Sequence, residues 1–78
     1  MFDNEIVIKA CEFQYFDVFS ILAYSEVIKG LCIKNAKYPL NNKTLYRKNT
    51  LGISNEFLKD NIKISIKSGI GLAILSKD

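Results

Sequence analysis

The sequence predicts an all-β domain, either a small two-sheet sandwich or a jelly-roll-like barrel, on three observations. Short runs rich in β-branched and aromatic residues recur along the chain, turn-forming residues separate them at intervals of about 8 to 12 residues, and no segment has a convincing helical period. Short strands with regularly spaced turns are typical of sandwiches and barrels. Because 78 residues have room for one core only, we assign residues 1–78 to a single domain.

Three strands are predicted in the first half of the chain. Glu5–Glu12 is dense in β-branched residues, and Phe13–Tyr24 combines them with aromatic residues. Val27–Lys34 follows after a short connection, and Gly30 within it indicates a β-bulge or a close approach of another backbone.

Turns and an edge are expected after the third strand. Asn35–Ala36 is predicted to form a tight turn and Asn41–Lys43 the next one. Pro39 has no amide hydrogen for a ladder, so we expect residues 38–40 at a sheet edge. Two segments, Lys37–Asn42 and Thr50–Phe57, mix turn formers with short polar side chains, which is typical of loops that present hydrogen bonds.

The last third of the chain has the clearest strand pattern. Isoleucine alternates with Lys or Ser from Ile62 to Lys67, so one face of this strand is predicted to be buried and the other wet. Ser68–Gly69 is expected to reverse the chain, and Ile70–Leu75 to return as the partner strand. Gly71 within the returning strand indicates close packing by another group.

Composition narrows the possible chemistry. The chain has no histidine, so the usual general base and the commonest metal ligand are missing, and its acidic residues are scattered. Cys11 and Cys32 lie 21 positions apart without a zinc motif, and we expect both to be reduced and buried. We therefore assign no catalytic residue and no metal ligand. Without a signal peptide or a long apolar run, the expected location is cytoplasmic and away from the membrane.

Ser54-Asn55-Glu56 is the best candidate for a ligand-binding element, with Ser54 and Asn55 as the proposed binding side chains. A hydroxyl beside a carboxamide, shortly after Gly52, offers donors and acceptors to a flat polar ring such as an aminopyrimidine. The same two side chains could instead close a turn through hydrogen bonds to the backbone. Tyr38 could stack on a ligand at a pocket mouth, or cover the core as an edge aromatic.

A second hypothesis is a small basic β module that binds nucleic acid or a protein. The net charge is +3, from 11 basic and 8 acidic residues, which permits an anionic partner without requiring one. Cations and aromatic residues alternate loosely in the middle of the chain, as on surfaces that bind single strands. They are Lys37, Tyr38, Lys43, Tyr46, Arg47 and Lys48. A solvated loop face explains these charges equally well, so we do not expect nucleic-acid binding.

Three segments together resemble the C-terminal domain of thiamine pyrophosphokinases. They are Gly30–Leu45, with KYPLNN inside it, Thr50–Phe57, with LGISNE, and Ile64–Ile70. Their order and spacing fit this family from Val27 to Asp78, and the first 26 residues fit loosely.

The resemblance implies a role in an enzyme of two domains. Such enzymes transfer the diphosphate of ATP to the hydroxyethyl group of thiamine, giving thiamine diphosphate and AMP, and they use Mg²⁺. The family's ATP and magnesium sites belong to an N-terminal α/β domain that lies outside this chain. The resemblance also implies a homodimer with thiamine between its subunits, and a fragment that is inactive alone.

The candidate residues match the family's motif. Ser54 and Asn55 resemble the Ser-Asn pair near the aminopyrimidine, and Tyr38 stands where the family has an aromatic residue, often Trp, after a lysine. The implied thiamine-binding residues are therefore Ser54, Asn55 and Tyr38.

Overall fold

Two antiparallel sheets make up the protein. The computed structural model describes residues 1–9, 12, 16–48, 52–58 and 61–77. These contain seven strands and no helix: β1 Glu5–Lys9, β2 Val18–Ala23, β3 Val27–Lys34, β4 Leu40–Tyr46, β5 Ile53–Glu56, β6 Asn61–Ser65 and β7 Gly71–Ser76. The larger sheet has the order β1-β6-β3-β4 and the smaller sheet the order β5-β2-β7. The predicted all-β sandwich is confirmed, and the described strands do not close into a barrel.

The core lies between the inward faces of the two sheets. In β2 the residues alternate between buried and half-buried, with Phe19 and Ile21 fully buried. In β6 the predicted alternation is confirmed, because Ile62 and Ile64 are fully buried and Lys63 is exposed. Period-two burial on both sheets is what a sandwich requires, since each sheet covers the apolar face of the other.

Strands β3 and β4 contain two bulges that compensate each other. Ile28 pairs with Leu45, and the next pair is Leu31 with Lys43, so β3 has one residue more than β4 between these pairs. Gly30 lies in this bulge with a φ of 72°. Between Leu31 and Ile33, β4 has the extra residue, and Asn42 lies there with a φ of 57°. The predicted bulge at Gly30 is confirmed, and the original register returns beyond Asn42.

Several local predictions need correction. β1 ends at Lys9 before the predicted end at Glu12, although residues 10 and 11 lie outside the described residues. β2 begins only at Val18, and residues 13–15 of the predicted strand also lie outside the described part. Asn41–Lys43 is not a turn but part of β4, because Asn42, a residue type that tolerates positive φ, forms a bulge within the strand. β4 lies at the edge of its sheet, as predicted around Pro39.

Another correction concerns the predicted C-terminal hairpin. Ser68–Gly69 does redirect the chain, but β6 and β7 belong to different sheets, and β7 pairs with β2 instead. The chain therefore crosses from the larger sheet to the smaller one between β6 and β7. The close approach predicted at Gly71 is confirmed: a Cβ atom there would lie 2.5 Å from the Phe2 ring.

Candidate functional site

The two segments singled out in the sequence are joined side by side. Residues 36–38 run antiparallel to the end of β5, with an isolated bridge between Ala36 and Phe57. The Lys37 amide donates to the Glu56 carbonyl at 2.9 Å. This contact links the segment that leads into β4 of the larger sheet with an edge strand of the smaller sheet. The candidate site therefore lies where the two sheets meet.

Ile53–Glu56 is a strand rather than the predicted loop. β5 pairs with β2 from Ile53↔Ile21 to Glu56↔Val18. The alternation places Asn55 on the inward face, opposite the fully buried Phe19, and Ser54 on the outward face. An asparagine at an inward strand position breaks the apolar pattern, which explains why this strand has the composition of a loop.

The Asn55 carboxamide is buried and hydrogen-bonded to backbone groups. Asn55 is 2% exposed, and among the described residues no other polar or charged residue is buried. Its Oδ1 accepts from the Tyr38 and Glu56 amides, both at 2.9 Å, and its Nδ2 donates to the Tyr38 carbonyl at 2.7 Å. A carboxamide has two donor hydrogens and two acceptor lone pairs, so three of these four positions are used.

Ser54 faces outward into a concave surface. A pocket of about 310 Å³ is lined by Val18, Tyr38, Ser54, Asn55 and Glu56. The Ser54 and Ser20 hydroxyl oxygens are 3.3 Å apart across neighbouring strands. This volume is at the lower end of the range for small-molecule sites, which is about 300 to 1,000 Å³, and suits one ring system better than a whole nucleotide.

Tyr38 forms one wall of this pocket, and 54% of the residue is exposed. Its ring is therefore available to a ligand, and it does not cover the core. Lys37 Nζ lies 5.4 Å from the centre of the Tyr38 ring and 3.3 Å from Glu56 Oε2. The hydrogen bond to the Glu56 carboxylate, with a smaller contribution from Tyr38, raises the pKa of the Lys37 ammonium above its ordinary value. The lysine is charged at neutral pH, and it partly neutralises Glu56.

A wider concavity lies elsewhere, between the β2–β3 connection and the end of β4. It measures about 710 Å³, and its lining residues are Glu26, Val27, Tyr46, Arg47 and Lys48. Lys48 Nζ lies 5.6 Å from the centre of the Tyr46 ring. Three of the six residues in the basic and aromatic pattern are thus together here, but KYPLNN and LGISNE do not contribute to the lining.

The predicted reduced state of the cysteines is supported for Cys32. Cys32 is a free thiol that is half-buried, so it is less buried than predicted, and its Sγ accepts from the Asn42 amide at 3.4 Å. Cys11 lies outside the described residues. In the ranges that are described, no group of three acidic or cysteine side chains is placed to hold a metal ion. In the same ranges, no helix is long and apolar enough to cross a bilayer.

The predicted residues Ser54, Asn55 and Tyr38 come together at one pocket, and their roles in binding stay predictions. The sequence prediction missed Val18, and it included Glu56 in the binding element without giving it a binding role. Both face the same way as Ser54, because Glu56 follows it by two positions and Val18 pairs with Glu56. The period of two places Glu56 on the same face as Ser54 once this segment is treated as a strand, whereas Val18 could be found only from the pairing of β2 with β5.

Several solved structures have a similar fold. Thiamine pyrophosphokinase from Bacillus subtilis superposes with a TM-score of 0.85 and 35% identity, over 99% of this chain and 36% of that chain. Thiamin pyrophosphokinase from Geobacillus thermodenitrificans has a TM-score of 0.83 and 28% identity, over 97% of this chain and 34% of that one.

A thiamin pyrophosphokinase family protein from Enterococcus faecalis has a TM-score of 0.77 over 99% of this chain and 35% of that one. At 18% identity, this likeness shows the fold alone. The chain thus spans about a third of the length of each of these proteins. No curated protein sequence matches the chain.

A protein-family comparison agrees with these structures. The family described as "Thiamin pyrophosphokinase, vitamin B1 binding domain" matches residues 4–71, which is most of the chain and includes all three segments of the resemblance. The chain therefore belongs to the family of vitamin B1 binding domains of thiamin pyrophosphokinase.

Proposed function

We propose that this chain is the thiamine-binding part of a thiamine pyrophosphokinase, which transfers the diphosphate of ATP to thiamine and releases AMP. The family assignment supports thiamine as the ligand. The observation that carries the proposal is the pocket in which Tyr38, Ser54 and Glu56 converge. It combines an exposed ring, a hydroxyl and a carboxylate, which suit an aminopyrimidine joined to a cationic ring.

The pocket also contains groups that can attract the positive charge of the ligand. The thiazolium ring of thiamine is positive, whereas the chain has a net charge of +3. Glu56 supplies a carboxylate at the pocket, and the face of the Tyr38 ring attracts cations through its quadrupole. These two groups can attract the thiazolium ring locally, in competition with Lys37, which lies close to both of them.

ATP and Mg²⁺ are proposed to bind outside this chain. Its relatives are about three times as long, so two thirds of each relative has no counterpart here. Diphosphoryl transfer depends mainly on positioning and charge neutralisation, so one domain can hold the nucleotide and metal while another holds the acceptor alcohol. We propose that this chain is the acceptor-holding part, is inactive alone, and acts within a cytoplasmic homodimer.

Substitutions in the pocket test this function in the full-length protein. Tyr38→Ala and Ser54→Ala are expected to raise the KM for thiamine about tenfold or more, because each removes a contact to the acceptor, and to leave the KM for ATP within about twofold. Steady-state kinetics with each substrate varied in turn measures both. Equal changes for the two substrates, or none for thiamine, would show that this pocket is not the acceptor site.

The wider concavity favours one alternative, a nucleic-acid-binding module, because Tyr46, Arg47 and Lys48 meet there. The dependence of binding affinity on salt concentration distinguishes the two functions. Binding to phosphates releases counterions and weakens steeply between about 50 and 200 mM salt, whereas recognition of an aminopyrimidine changes little. Titration of a labelled single-stranded oligonucleotide and of thiamine at both salt concentrations decides between them.

A further inference from the structure

The carboxamide of Asn55 holds the backbone of Tyr38 in place. Its two hydrogen bonds to Tyr38, one accepted by Oδ1 at 2.9 Å and one donated by Nδ2 at 2.7 Å, use both polar groups of that residue's backbone. They continue the short antiparallel contact that begins with Ala36↔Phe57 and Lys37 N–H to Glu56. The side chain thus takes the place of a strand partner, just before Pro39, whose nitrogen has no hydrogen to donate.

This arrangement determines where the pocket's two outward groups lie. Ser54 projects from the outer face of β5, and the Tyr38 ring projects from a segment that leads into the other sheet. The bonds from Asn55 connect those two places directly, beside the more exposed contact between Lys37 Nζ and Glu56 Oε2. A shift of the Tyr38 backbone would move its ring away from Ser54 and open the pocket.

We infer that Asn55 is a positioning residue that sets the distance between the Tyr38 ring and the Ser54 hydroxyl, and that those two groups contact the ligand while Asn55 does not. This inference rests on the proposed function. The carboxamide is 2% exposed, and three of its four hydrogen-bonding positions already serve the backbone. Little capacity or surface remains for an aminopyrimidine.

The first test compares thiamine with an analogue whose exocyclic amino group is replaced by oxygen. In the full-length protein, Asn55→Ala is expected to weaken binding of both compounds by the same factor, between about tenfold and a hundredfold, since misplacing a binding group by about 1 Å has effects of that size. Ser54→Ala should instead reduce the preference for thiamine over the analogue. Loss of that preference in Asn55→Ala would show direct contact and overturn the inference.

A double-mutant cycle tests whether Asn55 acts through Tyr38. Once the Tyr38 ring is absent, its position no longer matters, so Tyr38→Ala combined with Asn55→Ala should bind thiamine within about threefold of Tyr38→Ala alone. Independent contacts would give additive losses, and additivity would contradict the inference. Asn55→Ser, which keeps one hydroxyl for the backbone groups, is measured beside Asn55→Ala and provides the same comparison if the alanine variant does not fold.

Amide hydrogen exchange provides a test that needs no ligand. The Tyr38 and Glu56 amides are expected to lose protection in the Asn55 variants and to keep it in Ser54→Ala. Ser25→Ala is the matched control, because Ser25 Oγ also bonds backbone groups on both sides, accepting from Ile70 N–H and donating to the Val27 carbonyl, away from the pocket. It should lower stability without changing thiamine affinity.

The two proposals fail in different ways. If the unaltered protein does not bind thiamine, the proposed function is wrong, and exchange at Tyr38 still shows whether Asn55 holds that residue. If thiamine binds and Tyr38 stays protected in the Asn55 variants, the positioning role is wrong while the proposed function stands.

Discussion

The Lys37–Glu56 pair shows how a single contact adjusts the candidate pocket. Both side chains are about half exposed, at 50% and 47%, so water screens their attraction, and the pair has little influence on the fold. Its position matters more than its strength. Glu56 lines the pocket, and Lys37 competes with any cationic ligand for the same carboxylate.

Lys37→Gln should therefore tighten thiamine binding a few-fold, because the Glu56 carboxylate becomes fully available to the thiazolium ring. Isothermal titration with the full-length protein at low and high salt measures this, and the gain should shrink as salt screens the attraction. Lys63→Gln, a substitution of the same kind on the larger sheet, is the control and should leave affinity unchanged. Weaker binding in Lys37→Gln would mean that Lys37 itself contacts the ligand.

The pKa of Lys37 determines the pH range in which this pair acts. Its folded pKa is raised, so the stabilisation is complete below the unfolded value, about 10.4 for lysine, and is lost as the pH rises through the folded value. We expect the difference in thiamine affinity between Lys37→Gln and the unaltered protein to be constant near neutral pH. It should disappear only in strongly alkaline solution, where Lys37 becomes neutral.

The pairing of β3 with β4 depends on two bulges that cancel each other. One extra residue on β3 at Gly30 is followed by one extra residue on β4 at Asn42, so the pairing beyond Asn42 is in the same register as before Gly30. The backbone amide of Asn42 donates a hydrogen bond to Cys32 Sγ. This amide lies in the bulge, outside the regular pairing of β3 with β4. The sequence predicted the first bulge, because Gly stood inside a strand pattern, but the second resembled a turn.

Asn42→Val is expected to lower the free energy of unfolding by about 1 to 2 kcal/mol, because a β-branched residue is strained at a φ of 57°. Asn42→Gly is the control, since it tolerates that conformation, and should cost much less. Asn42 is exposed, so packing does not confound the comparison. Urea unfolding of both variants measures the difference, and equal stability would show that β4 does not hold this conformation in solution.

The whole molecule depends on a core shared by two small sheets. Chains of this length bury about 60% of the surface that they expose when unfolded, so few large side chains carry most of the stability. Phe19 is the largest of the fully buried ones, and its ring centre lies 5.3 Å from that of Phe57. Phe57 directly follows β5, so the core and the candidate site share this end of the smaller sheet.

Phe19→Ala should cost about 3 to 5 kcal/mol, from lost burial and the cavity left behind. A domain of 78 residues has a total stability of roughly 4 to 12 kcal/mol, so this loss is a large share of it, and the midpoint of thermal unfolding should fall by more than about 10 °C. Circular dichroism during thermal unfolding tests this. Leu58→Ala, at an exposed apolar position, is the control and should change stability little. A Phe19→Ala variant as stable as the unaltered protein would contradict this account of the core.

Local pattern was sufficient for part of this structure. Alternation of isoleucine with lysine identified β6 and its buried face, glycine in a strand identified the bulge at Gly30, and the spacing of KYPLNN and LGISNE indicated the family. These features depend on residues a few positions apart, where side-chain direction and backbone sterics act directly.

Long-range contacts decided the rest. β6 and β7 are neighbours in sequence but belong to different sheets, and Ile53–Glu56 is a strand because β2 pairs with it and Asn55 finds backbone partners 17 residues away. The inward position of a polar side chain is stable only when distant groups satisfy its hydrogen bonds. No local pattern contains that information, so the composition indicated which residues could bind, and the packing of the two sheets decided which of them face the pocket.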